Sequence, residues 1–416
     1  MAQLSDDCFT FAGPLLSVEA AQALIAERVP PLGGEERVAL SAALGRVLAR
    51  ELRAALPLPP FGNSAVDGYA LRHADLGAGP TALRLAGRVA AGQEPRPLPP
   101  GAAARIFTGA PLPPGADTVL MQEDAALRPA AGEVLIPPGL RPGANVRPAG
   151  EDVRQGAVAL PAGRRLRAPE IGLAAALGCA SLAVTPRLRV GVFSTGDELA
   201  VPGQALGPAQ AYDSNRFTLL ALLAGLPVEA VDLGILPDRA AESAAALRAA
   251  SASHDLLLTS GGVSVGEEDH MRAAIEQDGR LVFWRLAVKP GRPAALGVVG
   301  GTPVLGLPGN PVAAVVAFLH LARPLVLRLA GAAPEPLPRF SAEAGFAARK
   351  KPGRREYLRV RLRPAGLLPV AERIEQEGAA LLSSLAASDA FAELPEALGE
   401  VRPGDTVQVL PFAALF

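Results

Sequence analysis

The sequence predicts a multidomain α/β and β protein: a central βαβ domain with a mostly parallel sheet, a β-rich insertion domain before it, and a small C-terminal β domain. Three observations lead there. The chain has 416 residues, beyond the ~100–200 residues of one ordinary domain. Between Arg187 and Ala330 short apolar runs alternate with longer amphipathic stretches, as strands and helices taking turns would. From residue 80 to 165 short apolar runs, among them Thr118-Val-Leu-Met121 and Glu133-Val-Leu-Ile136, are cut by Pro/Gly turns, which reads as β structure.

Element by element, residues 16–30 place Val18, Ala21, Leu24 and Ile25 on one helical face, and Glu36 to Leu52 repeats the spacing with Leu40, Ala43, Leu44, Val47 and Leu48. Two opening helices are expected. Leu56-Pro-Leu-Pro-Pro-Phe-Gly62 then stops helix formation, because proline lacks an amide donor and restricts its predecessor. A helix is expected over Ala168 to Leu177. Strands are expected at Leu188–Ser194, Val228–Leu233, Leu256–Ser260, Leu281–Leu286 and Pro303–Leu307, with helices over 215–225, 238–250, 268–278 and 311–330. After the Pro-rich link Ala333–Pro338, strands at Tyr357–Leu362 and Thr406–Leu410 mark the tail. The domains so drawn are 1–55 plus 144–180 (helical, linking), 56–143 (β-rich), 181–331 (α/β) and 332–416 (β).

Composition narrows the function classes. Half of the residues are hydrophobic and 19% are charged, enough apolar material for buried cores throughout. Forty Lys+Arg against 41 Asp+Glu leave a net charge of -1, so no global field draws nucleic acid or an anionic membrane. Two cysteines and four histidines exclude a disulfide framework and a Cys/His metal cluster, while oxygen ligands stay open. Asp6 and Asp7 precede Cys8 without a cationic start, which points to the cytoplasm. The longest uncharged run, between Arg292 and Arg323, holds four prolines and is not expected to span a membrane.

Chemistry is expected at the carboxyl ends of the parallel strands. Ser194-Thr-Gly-Asp-Glu198 places a glycine and two carboxylates there, which suits Mg²⁺ and suits a solvated turn equally. Thr259-Ser-Gly-Gly-Val-Ser-Val-Gly266 can gather backbone N–H groups around a phosphate. The acidic run Glu267-Glu-Asp269 behind it would repel a bare phosphate unless one carboxylate, most simply Asp269, binds a bridging metal. Lys289, the first lysine in the chain, sits between Arg285 and Arg292, a cluster able to neutralise phosphoanhydride charge. Leu307-Pro-Gly-Asn-Pro311 forms a rigid turn with Pro311 suited to the first helical position. Asn63-Ser-Ala-Val-Asp-Gly-Tyr69, Thr108-Gly-Ala-Pro111 and Gly150-Glu-Asp152 read as turns, and the histidines as packing or surface residues.

Taken in order, these motifs closely resemble the MoeA family of molybdopterin molybdenumtransferases, related to the E domain of gephyrin, from about residue 15 to the C-terminus. The resemblance implies an elongated four-domain homodimer that turns adenylylated molybdopterin and molybdate into molybdenum cofactor and AMP, with Mg²⁺ required. It implies Glu198 and Asp269 as metal carboxylates, and Ser260, Gly261, Gly262 and Ser264 as the nucleotide-phosphate loop. Asp238 matches a further acidic position; Arg285, Lys289 and Arg292 match a basic cluster, and Pro308 and Pro311 the rigid turn. Asp67, Thr108 and Asp152 match positions that face the other subunit. Further implied partners are the molybdopterin adenylyltransferase and recipient molybdoenzymes. Arg285 and Arg292 replace lysines usual in the family, keeping charge but changing a point into a fork. Arg359 fits an anion-site arginine, but Gly378-Ala379 stands where Gly-Ser is expected, and Ser383 or Ser384 could replace that hydroxyl only in part. Two other readings compete: the adenylyltransferase itself, which lacks the long β-rich front and the tail, and a non-catalytic scaffold, which has no need of the acidic and basic site residues.

Overall fold

The computed structural model describes residues 15–236, 239–261, 275, 279–291, 293–375 and 378–415. The chain divides into two compact units, one formed by residues up to Arg50, Ala162–Arg167 and Ser181–Phe416, the other by Glu51–Pro161 and Ala168–Ala180.

In the first unit the opening helix runs Val18–Arg28, capped by Ser17, whose hydroxyl accepts from the Ala20 amide at 3.1 Å. It buries Val18, Ala21 and Ile25, three positions the spacing predicts. The expected second helix does not form. Glu36–Ala39 is a strand paired with Ser181–Val184, a single 3₁₀ turn follows at Leu40–Ala42, and Val47 and Leu48 bridge to Arg165 and Val184. Gly45 at φ 74° breaks the helical path. Ala43, Val47 and Leu48 are buried as the periodicity predicts, whereas Leu44 is 63% exposed. Period and propensity lost here to non-local strand pairing.

The central sheet has the order Val228–Leu236, Leu188–Thr195, Leu256–Ser260, Thr302–Leu307, Pro293–Val299, Gly279–Arg285. Its first three pairings are parallel and its last two antiparallel. The helices Asn215–Leu223 and Ala240–Ser251 fall where the alternation predicts them; most of the one expected over 268–278 lies outside the described residues. The strand Pro293–Val299 was not foreseen, its Pro-Ala-Ala-Leu-Gly start lacking the β-branched residues that mark strands. Helix Pro311–Ala317 continues through a π turn at Phe318–Ala322 into Arg323–Leu329, with Asn310 as N-cap and Pro311 in the first turn. The run Pro311–Leu329 is long and apolar enough to cross a membrane, but 83% of it is buried inside this unit as a core helix.

The tail closes on itself. Arg355–Arg363 pairs with both Val370–Arg373 and Ala390–Leu394, Phe340–Ala344 joins Val370–Arg373, and Thr406–Pro411 links Phe340–Ala344 to Ala390–Leu394. The result is a five-stranded barrel around Val360, Ala371, Ala392, Leu394 and Val409. The short strand Val288–Lys289 adds to its Arg355–Arg363 strand, placing Lys289 beside Glu356.

The second unit is β-rich as expected. Its six-stranded sheet runs Thr118–Met121, Gly68–Leu71, Ala102–Ile106, Thr81–Val89, Glu133–Ile136, Ala126–Arg128, and only the Thr81–Ala102 strand pair is parallel. Its one α-helix among the described residues is Ala168–Ala176.

Candidate functional site

In the first unit the carboxyl ends of the Leu188, Leu256 and Thr302 strands converge, as parallel packing dictates. Gly261 follows directly after Ser260 with φ 91°, and a β-carbon there would stand 2.7 Å from the Thr195 carbonyl oxygen. Only glycine fits this turn. Its amide donates to Leu307 O at 3.1 Å, so it shapes the loop rather than offering a phosphate donor. The Ser260 hydroxyl donates to Pro308 O at 3.3 Å and accepts from Asn215 Nδ2 at 2.7 Å. Asn215 Nδ2 also reaches Gly309 O at 2.7 Å. One buried amide thus ties the glycine loop to the Pro308–Pro311 turn.

Beside this clamp, Ser194 Oγ donates to Asp213 Oδ1 at 3.0 Å, and Arg216 Nε donates to Asp213 Oδ2 at 2.8 Å. Arg216 also pairs with Asp232. Burial opposes the charge on Arg216, but these two carboxylates outweigh it and hold the guanidinium above its ordinary range. Three buried polar atoms here have no protein partner: Thr195 Oγ1, Thr259 Oγ1 and Asn215 Oδ1. Asp213, Asn215 and Arg216 escaped the sequence reading; the signal was Asp213-Ser214 directly ahead of the helix that opens at Asn215, polar residues where a capping segment is expected.

Glu198 is exposed, and its carboxylate folds back over Gly196: a β-carbon on Gly196 would lie 2.5 Å from Glu198 Oε2. Asp197 is exposed. Oxygen donors of this kind suit a hard cation. Among the described residues no group of three or more His, Cys, Asp or Glu gathers as a metal site. Asp238, Gly262, Ser264, Asp269 and Arg292 lie outside the described residues, and of Arg285 only the backbone is described, at the end of its strand.

The Pro308–Pro311 turn leads onward to a second feature. The Val312 amide donates to Ala379 O at 3.1 Å, and Val312, Ala379, Pro290 and Gly291 wall a cavity of about 290 Å³ with Lys289, Glu356, Arg359 and Arg373. Lys289 Nζ lies 3.2 Å from Glu356 Oε2. One nitrogen of the buried Arg359 guanidinium donates to Gly378 O at 3.0 Å and to Ser384 Oγ. Ser384, one of the two serines weighed as a replacement hydroxyl, thus touches Arg359.

In the second unit the Gly68–Ala102 strand pairing sets Asp67 against Thr108. Asp67 Oδ1 accepts from the Thr108 amide and from its hydroxyl, each at 2.8 Å. These bonds, with Arg105 nearby, hold the Asp67 carboxyl below the usual carboxylate range. Two turns singled out separately in the sequence thus form one acidic feature. Asp152 is exposed on a turn whose amide donates to Leu58 O at 3.0 Å.

Comparison with known proteins finds relatives along nearly the whole chain. Residues 16–178 match the model of the MoeA N-terminal region (domain I and II), residues 191–328 that of a probable molybdopterin binding domain, and residues 341–412 that of the MoeA C-terminal region (domain IV). Molybdopterin molybdenumtransferase of Haemophilus influenzae is 39% identical over 96% of this chain and 99% of its own length. A protein of the same name from Nostoc sp. is 36% identical, covering 95% of this chain and 94% of its own. Two crystal structures of a molybdopterin biosynthesis MoeA protein from Pyrococcus horikoshii superpose with TM-scores of 0.80 and 0.74 at 27% and 32% identity, covering 95% and 96% of this chain and 99% of each of theirs.

Proposed function

Because the chain belongs to the MoeA family of molybdopterin molybdenumtransferases, transferases of molybdenum cofactor biosynthesis, we propose that it inserts molybdate into adenylylated molybdopterin and releases AMP. One observation carries this reading. The Ser260–Gly261 loop, the Pro308–Pro311 turn and the cation-lined cavity form one continuous hydrogen-bonded path, through Asn215 on one side and Val312 on the other. A phosphate-bearing substrate on the loop and an oxyanion in the cavity would then be held by the same rigid turn, which is the positioning that a transfer between them needs.

In this reading Ser260 and Gly261 give the loop its shape, and phosphate contact falls to Gly262 and Ser264. Lys289 and Arg359 hold molybdate, with Arg285 and Arg292 adding positive charge. Pro308 and Pro311 keep the turn rigid. Glu198 and Asp269 are the residues that would hold Mg²⁺, with Asp238 as a further acidic position; when bound, the ion supplies charge neutralisation at the phosphates and at the departing AMP. Asp67, Thr108 and Asp152 complete the site from the second subunit of a homodimer of four-domain chains. The cytoplasm is the compartment we assign, with the molybdopterin adenylyltransferase upstream and recipient molybdoenzymes downstream.

The metal assignment is tested by AMP release across a Mg²⁺ titration of Asp269→Asn and Glu268→Gln side by side. The Asp269 variant should lose metal-dependent release and the Glu268 variant keep it. Wild-type metal dependence in Asp269→Asn would remove Asp269 from the site.

A further inference from the structure

We propose that Arg373 is an anion-binding residue of the cavity beneath Lys289, and that with Lys289 it sets the site's preference for a tetrahedral dianion. This rests on reading the cavity as the oxyanion site. Three cationic side chains, Lys289, Arg359 and Arg373, line it against a single carboxylate, Glu356. Such an excess of positive charge in a concave, partly desolvated wall favours a doubly charged guest over a singly charged one.

The division of labour follows from the hydrogen bonds. Arg359 spends one guanidinium nitrogen on the 378–384 loop, through Gly378 O and Ser384 Oγ. Ser384 itself donates to Leu381 O at 2.5 Å, so its hydroxyl proton is committed to that loop. Ala379 offers a methyl group, and its carbonyl accepts from Val312. The hydroxyl of Tyr357, the remaining one on the cavity wall, donates to Glu393 Oε1 at 3.3 Å. No cavity-lining hydroxyl among the described residues is therefore left as a donor, and recognition of an oxyanion falls to cations.

Arg373 is suited to that task. It ends the Val370–Arg373 strand and pairs with Val360, and the next amide, Ile374, donates to Arg359 O at 2.9 Å. Its backbone is thus fixed by the barrel one residue from the Arg359 rung. A guanidinium carries five donors in a planar fork, so it can hold a protein neighbour and still take two oxygens of a tetrahedral anion. Lys289, 58% exposed in its side chain and paired with Glu356, adds a compact point charge to the lining.

The test is equilibrium dialysis of the full-length protein with molybdate, repeated with sulfate and with phosphate as competitors. Arg373→Ala should weaken molybdate binding by roughly tenfold or more, the usual cost of losing a charge-assisted donor pair. Arg373→Lys should recover part of the affinity, and Ala379→Ser added to Arg373→Ala should recover part by restoring a hydroxyl. Lys351→Glu, an exposed charge outside the cavity lining, serves as the control and should bind like wild type. Lys350 is unsuitable for that role because its ammonium donates to Pro395 O, Glu396 O and Leu398 O. If Lys289→Ala loses molybdate while Arg373→Ala keeps wild-type affinity, the role given to Arg373 is wrong and the cavity stands. If both variants, and Arg359→Lys with them, bind like wild type, the cavity is not the oxyanion site and both readings fall.

Discussion

Replacing Asn215 with alanine should loosen the glycine loop and the Pro308–Pro311 turn together. The residue is 9% exposed and its Nδ2 makes two hydrogen bonds, each 2.7 Å long. A net hydrogen bond contributes ~0.5–1.5 kcal/mol, and a buried acceptor left without its donor costs ~1–3 kcal/mol. Ser260 Oγ keeps its bond to Pro308 O, so the bare acceptor is Gly309 O. Asn215 Oδ1 already lacks a partner, and its removal offsets part of the loss. The balance is ~1–3 kcal/mol of local stability, or roughly 5- to 150-fold faster exchange if opening is local. Hydrogen exchange followed by mass spectrometry reads it directly, since the Gly261 amide is protected by Leu307 O and the Ala314 amide by Asn310 O. A cycle with Ser260→Ala should show coupling of ~0.5–1.5 kcal/mol, the worth of the shared bond. Unchanged exchange at both amides, or strict additivity in the cycle, would refute the clamp.

Other outcomes follow from the same geometry. His320 is fully buried with both ring nitrogens unpaired, and burial pushes its pKa down from 6.5 to about 4. The unfolded chain then binds the proton first, so its contribution to stability is intact above pH 6.5 and falls away towards pH 4. The loss by pH 5 is ~2 kcal/mol, and the urea midpoint of His320→Leu should depend on pH less than that of wild type between pH 7 and 5; equal dependence would contradict this. Thr108→Ala should raise the Asp67 pKa towards its ordinary value in a carbon-13 titration, because it removes the hydroxyl bond; no shift would show that the amide alone suffices. Mixing Asp67→Ala chains with Asp269→Ala chains should restore some activity through one intact composite site, and mixed dimers as inactive as either parent would rule out a shared site.

Much of the molecule was legible because its signals are local. Alternating apolar runs located the parallel strands, and Asn310-Pro311 located the start of the core helix. Glycines at strand ends pointed to the loop at Gly261, where φ and the Thr195 carbonyl both require one. Signals that depend on distant pairing were not legible. Residues 36–52 carry a helical period, yet the partner strand Ser181–Val184 draws Glu36–Ala39 into extended structure and a 3₁₀ turn follows. Closure of the tail barrel joins strands about 65 residues apart in pairs such as Ala342–Val407, which no short window of the sequence contains. Asn215 looked like an ordinary polar residue because its partners, Ser260 and Gly309, lie 45 and 94 residues away. The pairing of Asp67 with Thr108 became visible only when the sheet set their strands side by side.

In the proposed reaction a nucleotide-activated pterin and an oxyanion react across one rigid turn. Its most direct measurement is AMP release by the wild-type protein from adenylylated molybdopterin, with and without molybdate and with and without Mg²⁺. AMP should appear in step with molybdenum bound to the pterin, and only when all components are present. Release of AMP that ignores molybdate, or molybdenum insertion without AMP, would contradict it.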